Sequence, residues 1–149
     1  MNSPLRAPRF SRLLMVAAAV AVVPGIAHAQ TGKWVGTVKL NNSGSADLTI
    51  EPRSEKQSKA KMNIRNGRRE SRMAWDIVQG RCRDEGVPIA PQAQFTALQT
   101  QMDGSVTVTA NVPKLESGKL YYFRVFDPQT QASDVTSFGC SNISEVPPS

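Results

Sequence analysis

Residues 58–65 read SKAKMNIR, and this octapeptide decides the fold class. Ala60, Met62 and Ile64 alternate with Lys59, Lys61, Asn63 and Arg65. A period of two sorts side chains onto the two faces of a β-strand and onto no single face of an α-helix. One apolar and one charged side mark a strand lying between a core and water, the habit of antiparallel sheets.

The same pattern extends outward from this segment. Upstream, ADLTIEP (46–52) turns Leu48 and Ile50 inward against Asp47, Thr49 and Glu51. KWVGTVKL (33–40) sets Trp34, Gly36, Val38 and Leu40 against Lys33, Thr37 and Lys39, and the cluster Asn41-Asn42-Ser43-Gly44 between them is a turn. Downstream, Asn66-Gly67 is a hairpin-type signal leading towards the strand RMAWDIVQ (72–79). A long loop is expected from Gly80 to about Gly104, containing Cys82, Pro88 and Pro91. SVTVTANV (105–112) then alternates with Val106, Val108, Ala110 and Val112 inward. KLYYFRVF (119–126) is apolar on both faces and reads as a central strand, and a final loop leads to Cys140. With no helical stripe of useful length, the expected fold is all-β: an antiparallel Greek-key sandwich or barrel of about seven or eight strands.

The N-terminus reads as a leader rather than as part of the fold. Arg6, Arg9 and Arg12 precede the apolar run LLMVAAAVAVVPGIA (13–27), and Ala27-His28-Ala29 supplies a small-x-small cleavage site. The run is shorter than the roughly 20 residues that span a bilayer. Residues 1–29 are therefore expected to be a signal peptide and 30–149 the mature, periplasmic or secreted domain. Of the 18 cationic residues three lie in the leader and none of the 12 acids does, so fifteen cations and twelve acids leave a mature charge of +3. The leader also holds His28, the chain's single histidine.

Cys82 and Cys140 are the only cysteines. Outside the cytoplasm they are expected to form one intramolecular disulfide, with two free thiols or an intermolecular bridge as the alternatives. Closing a loop of this length stabilises by about 4 kcal/mol on the chain-entropy account.

From about Trp34 to Ile143 the order of elements resembles the Cu/Zn superoxide dismutase-like sandwich, including exported bacterial relatives. AWDIVQGRCRDEG (74–86), ESGKLYYFRVF (116–126) and FGCSNI (138–143) carry the resemblance, with Leu115, Gly118, Tyr121 and Tyr122 matching the family's middle motif. The resemblance implies that Cys82 and Cys140 tie the long loop to the sandwich. It also implies metal-binding histidines at three positions, which here are Asp76, Val78 and Phe126. After the second cysteine come Ser141 and Asn142 in place of the family's glycine and aspartate. Copper needs imidazole nitrogens, and the accompanying zinc site needs histidines with a carboxylate. Residues 30–149 contain no histidine. The expectation is a sandwich that keeps the fold and bridge, with no cofactor and no dismutase activity.

Other chemistry finds little purchase. Ser-His and Cys-His nucleophiles cannot be assembled from residues 30–149, and Asp84 with Glu85 reads as a solvated loop tip. Trp34, Trp75, Tyr121, Tyr122 and Phe123 read as core, and Val78 with Phe126 as either filled packing or a small apolar pocket.

Charge is the least ordinary feature. Between Arg53 and Arg83, ten cations stand against Glu55, Glu70 and Asp76, a net +7, which leaves about −4 for the rest of the mature chain. Lys59, Lys61, Arg65, Arg68, Arg69 and Arg72 are the candidate contacts for an anionic envelope component or an acidic protein. A solvated edge that resists strand-to-strand aggregation is the plainer reading of the same residues. Only Trp75 interleaves with the cations, so there is no stacking platform and nucleic acid is not an expected partner. The first reading is thus a non-enzymatic binding or structural module. The rivals are a metal-binding or redox protein, and a periplasmic inhibitor or chaperone-like protein that works through loops 80–104 or 127–139.

Overall fold

The computed structural model describes residues 32–41, 44–128 and 137–147; the expected leader lies outside them. Apart from one 3-10 turn over Gln92–Gln94, all regular structure among the described residues is strand. Nine strands run β1 Lys33–Lys39, β2 Ser45–Pro52, β3 Gln57–Arg65, β4 Arg72–Gln79, β5 Val87–Pro88, β6 Leu98–Gln99, β7 Val106–Pro113, β8 Tyr121–Phe126 and β9 Ser137–Val146. Every pairing is antiparallel, in the order β5-β4-β8-β9-β1-β2-β3-β7, with β6 joined to the start of β4.

The sheet curls because β9 serves both halves. Its residues up to Ile143 pair with β8, whereas Ser144–Val146 pair with β1. Curling brings the inner faces together over one core. Leu48, Ile50, Ala60, Met62, Ile64 and Val112 contribute from one half, and Met73, Trp75, Ile77, Phe123 and Val125 from the other. Those from β2, β3 and β7 are among the inward residues that alternation assigns to these strands. Trp75 sits edge-on to Phe95 at 5.0 Å and donates its indole N–H to the Thr96 carbonyl at 2.8 Å, so the ring is buried without an orphaned donor.

Three expectations need correcting. The Asn66-Gly67 turn does not form a hairpin between β3 and β4, because β3 is flanked by β2 and β7 while β4 pairs with β5, β6 and β8. Residues 66–71 instead cross from one half to the other. The reason lies in β4, which is buried on both faces from Met73 to Val78. The β2–β3 half leaves one side to water and cannot cover such a strand. The segment 80–104 is likewise not plain loop: it adds the two-residue strands β5 and β6 and buries Ala90, Phe95 and Leu98. Finally, Cys140 stands within the ten-residue strand β9, not at the end of a loop. Its Gly, Ser and Asn content hides a strand whose formation depends on two partners.

The crossover is stitched to the β6–β7 turn. Gly67 N–H donates to the Gly104 carbonyl at 2.9 Å and Thr100 N–H to the Ser71 carbonyl at 3.0 Å. Gly104 has a φ of +76°, and a Cβ there would lie 2.2 Å from the Gly67 oxygen, so only glycine lets the two turns meet. Thr100 is 3 % exposed; its hydroxyl accepts from Ser71 N–H at 2.8 Å and donates to the Arg68 carbonyl at 2.5 Å. Thr100→Val keeps the shape and orphans both groups. It is expected to cost about 1–3 kcal/mol in a denaturant titration, and a loss under a few tenths of a kcal/mol would show that water replaces the hydroxyl.

Candidate functional site

Two surfaces bear the residues singled out in the sequence. The first is the outer face of the β4–β8–β9 half, which holds Asp76, Val78 and Phe126. Core side chains alternate along β4, so Ala74, Asp76 and Val78 point the other way. Register places them opposite Phe126, Arg124 and Tyr122, while Arg124 and Tyr122 face Cys140 and Asn142 on β9. This face is covered rather than open. Val78 is 0 % and Phe126 8 % exposed. Gly86 packs so closely that a Cβ there would come within 2.6 Å of Val78 Cγ1. At these two positions the packing alternative holds.

Asp76 is committed to a partner that sequence reading did not name. Arg124 donates through Nε and Nη2 to the two Asp76 carboxylate oxygens, both at 2.8 Å, and its guanidinium lies 5.3 Å from the Phe126 ring centroid. Hydrogen bonding to Asp76 raises the Arg124 pKa further above its ordinary value. A signal for this pair was present: Asp76 and Arg124 are the lone charges within two otherwise apolar strand centres, and a buried charge needs an opposite one. Tyr122 donates its hydroxyl to the Asp84 carbonyl at 3.3 Å, and burial pushes its phenol pKa up, so the donor form is favoured.

The bridge Cys82–Cys140 closes over this face, with Cα atoms 5.7 Å apart. It fastens the loop that follows β4 to strand β9, and Cys82 N–H also donates to Asn142 Oδ1 at 2.8 Å. Asn142, which stands out in the sequence only as a departure from the family pattern, is thus a second fastening of the loop. Asp84 and Glu85 are exposed there. No group of three or more His, Cys, Asp or Glu able to hold a metal occurs among the described residues.

The second surface is the outer face of β1–β2–β3–β7. Lys59, Lys61 and Arg65 stand exposed in one row along β3. Arg65 is bound to Asp47, which also accepts from the Thr37 hydroxyl at 2.8 Å. Arg68 and Arg69 are exposed on the crossover and Arg72 opens β4. Among the described residues Lys59, Lys61, Arg68, Arg69 and Arg72 make no ion pair. The structure therefore separates the six cations into a row along β3 and a second group on the crossover and at the start of β4. Lys33 and Lys39 on β1 add to the first group.

No family model, no curated protein and no solved structure matches the chain. The molecule carries a disulfide, and no helix among the described residues is long and apolar enough to cross a membrane.

Proposed function

We propose that the chain is exported, is clipped after residue 29, and acts as a non-catalytic binding module that holds an anionic partner of the cell envelope. The observation that carries this reading is a set of exposed cations that make no ion pair among the described residues: Lys59 and Lys61 on β3, with Arg68, Arg69 and Arg72 on the crossover and at the start of β4. Unpaired exposed cations cost little to keep in water and act at the range of the Debye length, about 8–10 Å at physiological salt. They raise the rate and strength of encounter with a surface of opposite sign. The disulfide suits an oxidising compartment.

The non-catalytic part of the reading rests on the first surface. The positions that the dismutase-like resemblance assigns to metal ligands are two packed apolar residues and a carboxylate held by Arg124. A superoxide dismutase-like sandwich turned to binding is the family reading we favour, supported by the bridge from loop to strand.

The test is retention by immobilised envelope extract. Purified protein is expected to be held at low salt and released at high salt, and a variant with Lys59, Lys61, Arg68 and Arg69 all changed to Gln should lose most of that retention. Retention that resists salt, or survives in the variant, would sink the electrostatic reading and turn attention to the loops.

A further inference from the structure

We infer that the face of β2, β3 and β7 centred on Lys59 and Lys61 is a docking surface for an acidic polysaccharide, a linear glycan bearing carboxylate, sulfate or phosphate groups. The inference rests on the reading above and names the partner's chemistry. Register builds the surface rung by rung. Lys61 lies directly between Thr49 on β2 and Thr109 on β7. That rung offers an ammonium flanked by two hydroxyls and contains no carboxylate. The next rung holds Lys59 between Glu51 and Asn111, and Glu51 makes no ion pair with it. Lys59 and Lys61 rise from one side of one strand about 7 Å apart. Two cations at that spacing, with Thr49, Thr109 and Asn111 as neutral donors and acceptors and the Glu51 carboxylate beside Lys59, suit a chain with acidic groups at intervals and hydroxyls between them.

What surrounds these rungs narrows the partner further. The neighbouring rung is already satisfied: Asp47 is held by Thr37 within it and by Arg65 from the rung beyond, and Thr107 donates to Asn63 at 3.1 Å. Beyond Lys59 the face runs into an open groove of about 470 Å³ lined by Lys56, Gln57, Gln94, Asn111, Val112 and Pro113. Three amide side chains and a lysine there give a sugar ring partners for its hydroxyls. An anionic bilayer fits less well, because membrane surfaces are held by apolar insertion together with charge. Among the described residues the exposed large apolar side chains are Val87, Met102 and Leu120, and all three lie off this face. Val87 and Leu120 share a groove beside Gly80, and Met102 occupies the turn between β6 and β7.

Dextran sulfate, polygalacturonate, neutral dextran, and vesicles of phosphatidylcholine with phosphatidylglycerol make a sufficient probe set, read by calorimetry and sedimentation at several salt concentrations. The purified protein should bind at least one acidic glycan, ignore neutral dextran, and bind the glycan more tightly than the vesicles. Lys59→Gln with Lys61→Gln should weaken glycan binding about tenfold with an unchanged melting temperature, and Arg81→Gln with Arg83→Gln, exposed on the loop after β4 and outside the proposed contact set, should change it less than about twofold. Equal loss in both variant pairs, or tighter binding to vesicles, would overturn the polysaccharide inference and leave the anionic-partner reading standing. Salt-sensitive retention by envelope extract without binding to either acidic glycan would do the same. Absence of salt-sensitive binding to any probe or to extract would remove both.

Discussion

Replacing Cys82 and Cys140 together by serine is expected to lower the melting temperature by on the order of 10–20 °C, the counterpart of about 4 kcal/mol in a domain of this size. The two residues are 58 positions apart, so the bridge removes a large set of open conformations from the unfolded chain. Part of the effect should be local. The bridge holds the loop after β4 against β9, alongside the Cys82 N–H bond to Asn142 and the Tyr122 bond to Asp84. Amides of residues 80–87 should therefore exchange faster in the variant, while those of β2 and β3 keep their protection. Adding a thiol reductant to the unaltered protein should reproduce the shift. A melt within a degree or two of the parent would mean that the unfolded chain gains little freedom when the bridge is lost, and the entropic account would fail.

Arg124→Met should cost a comparable amount, about 3–5 kcal/mol in a denaturant titration, because it leaves the Asp76 carboxylate buried and unpaired. The Asp76 side chain is 4 % exposed and that of Arg124 25 %, so the carboxylate cannot turn to water for a substitute partner. Pairing Arg124→Met with Asp76→Leu should recover most of the loss, since the double change removes both desolvation penalties and fills the gap with apolar volume. The single variant therefore measures an orphaned charge and the double variant measures the pair. The outcome bears on function as well. A loss below about 1 kcal/mol in the single variant would mean that water reaches Asp76, and the covered outer face would have to be reread as an open pocket.

How much of this was legible beforehand depends on the distance over which each feature is encoded. Strand character and inward side chains in β2, β3 and β7 follow from residues two apart, so Ala60, Met62 and Ile64 could be placed inside and Lys59, Lys61 and Arg65 outside from one octapeptide. That β8 is a central strand could be read in the same way, from apolar residues on both faces. The bridge between Cys82 and Cys140 was expected, although Cys140 was placed at the end of a loop. The partner of Asp76 was not found, nor was the strand that holds Cys140, nor the fastening role of Asn142.

The segment after Asn66-Gly67 shows why. Its turn residues are sound, and Asn66 does take a positive φ of 52°. A turn signal states that the chain reverses and leaves open which strand it reverses towards. The sequence by itself determined a β protein with an apolar inner face and a basic outer one, because period-two patterning is written in adjacent residues and sensed by water at once. Only the tertiary structure decided that β4 leaves the half it follows and meets β8 instead, which sets Asp76 against Arg124, 48 positions away. That choice turns on which strands need cover on both faces, and such cover exists only once the whole sheet has curled on itself.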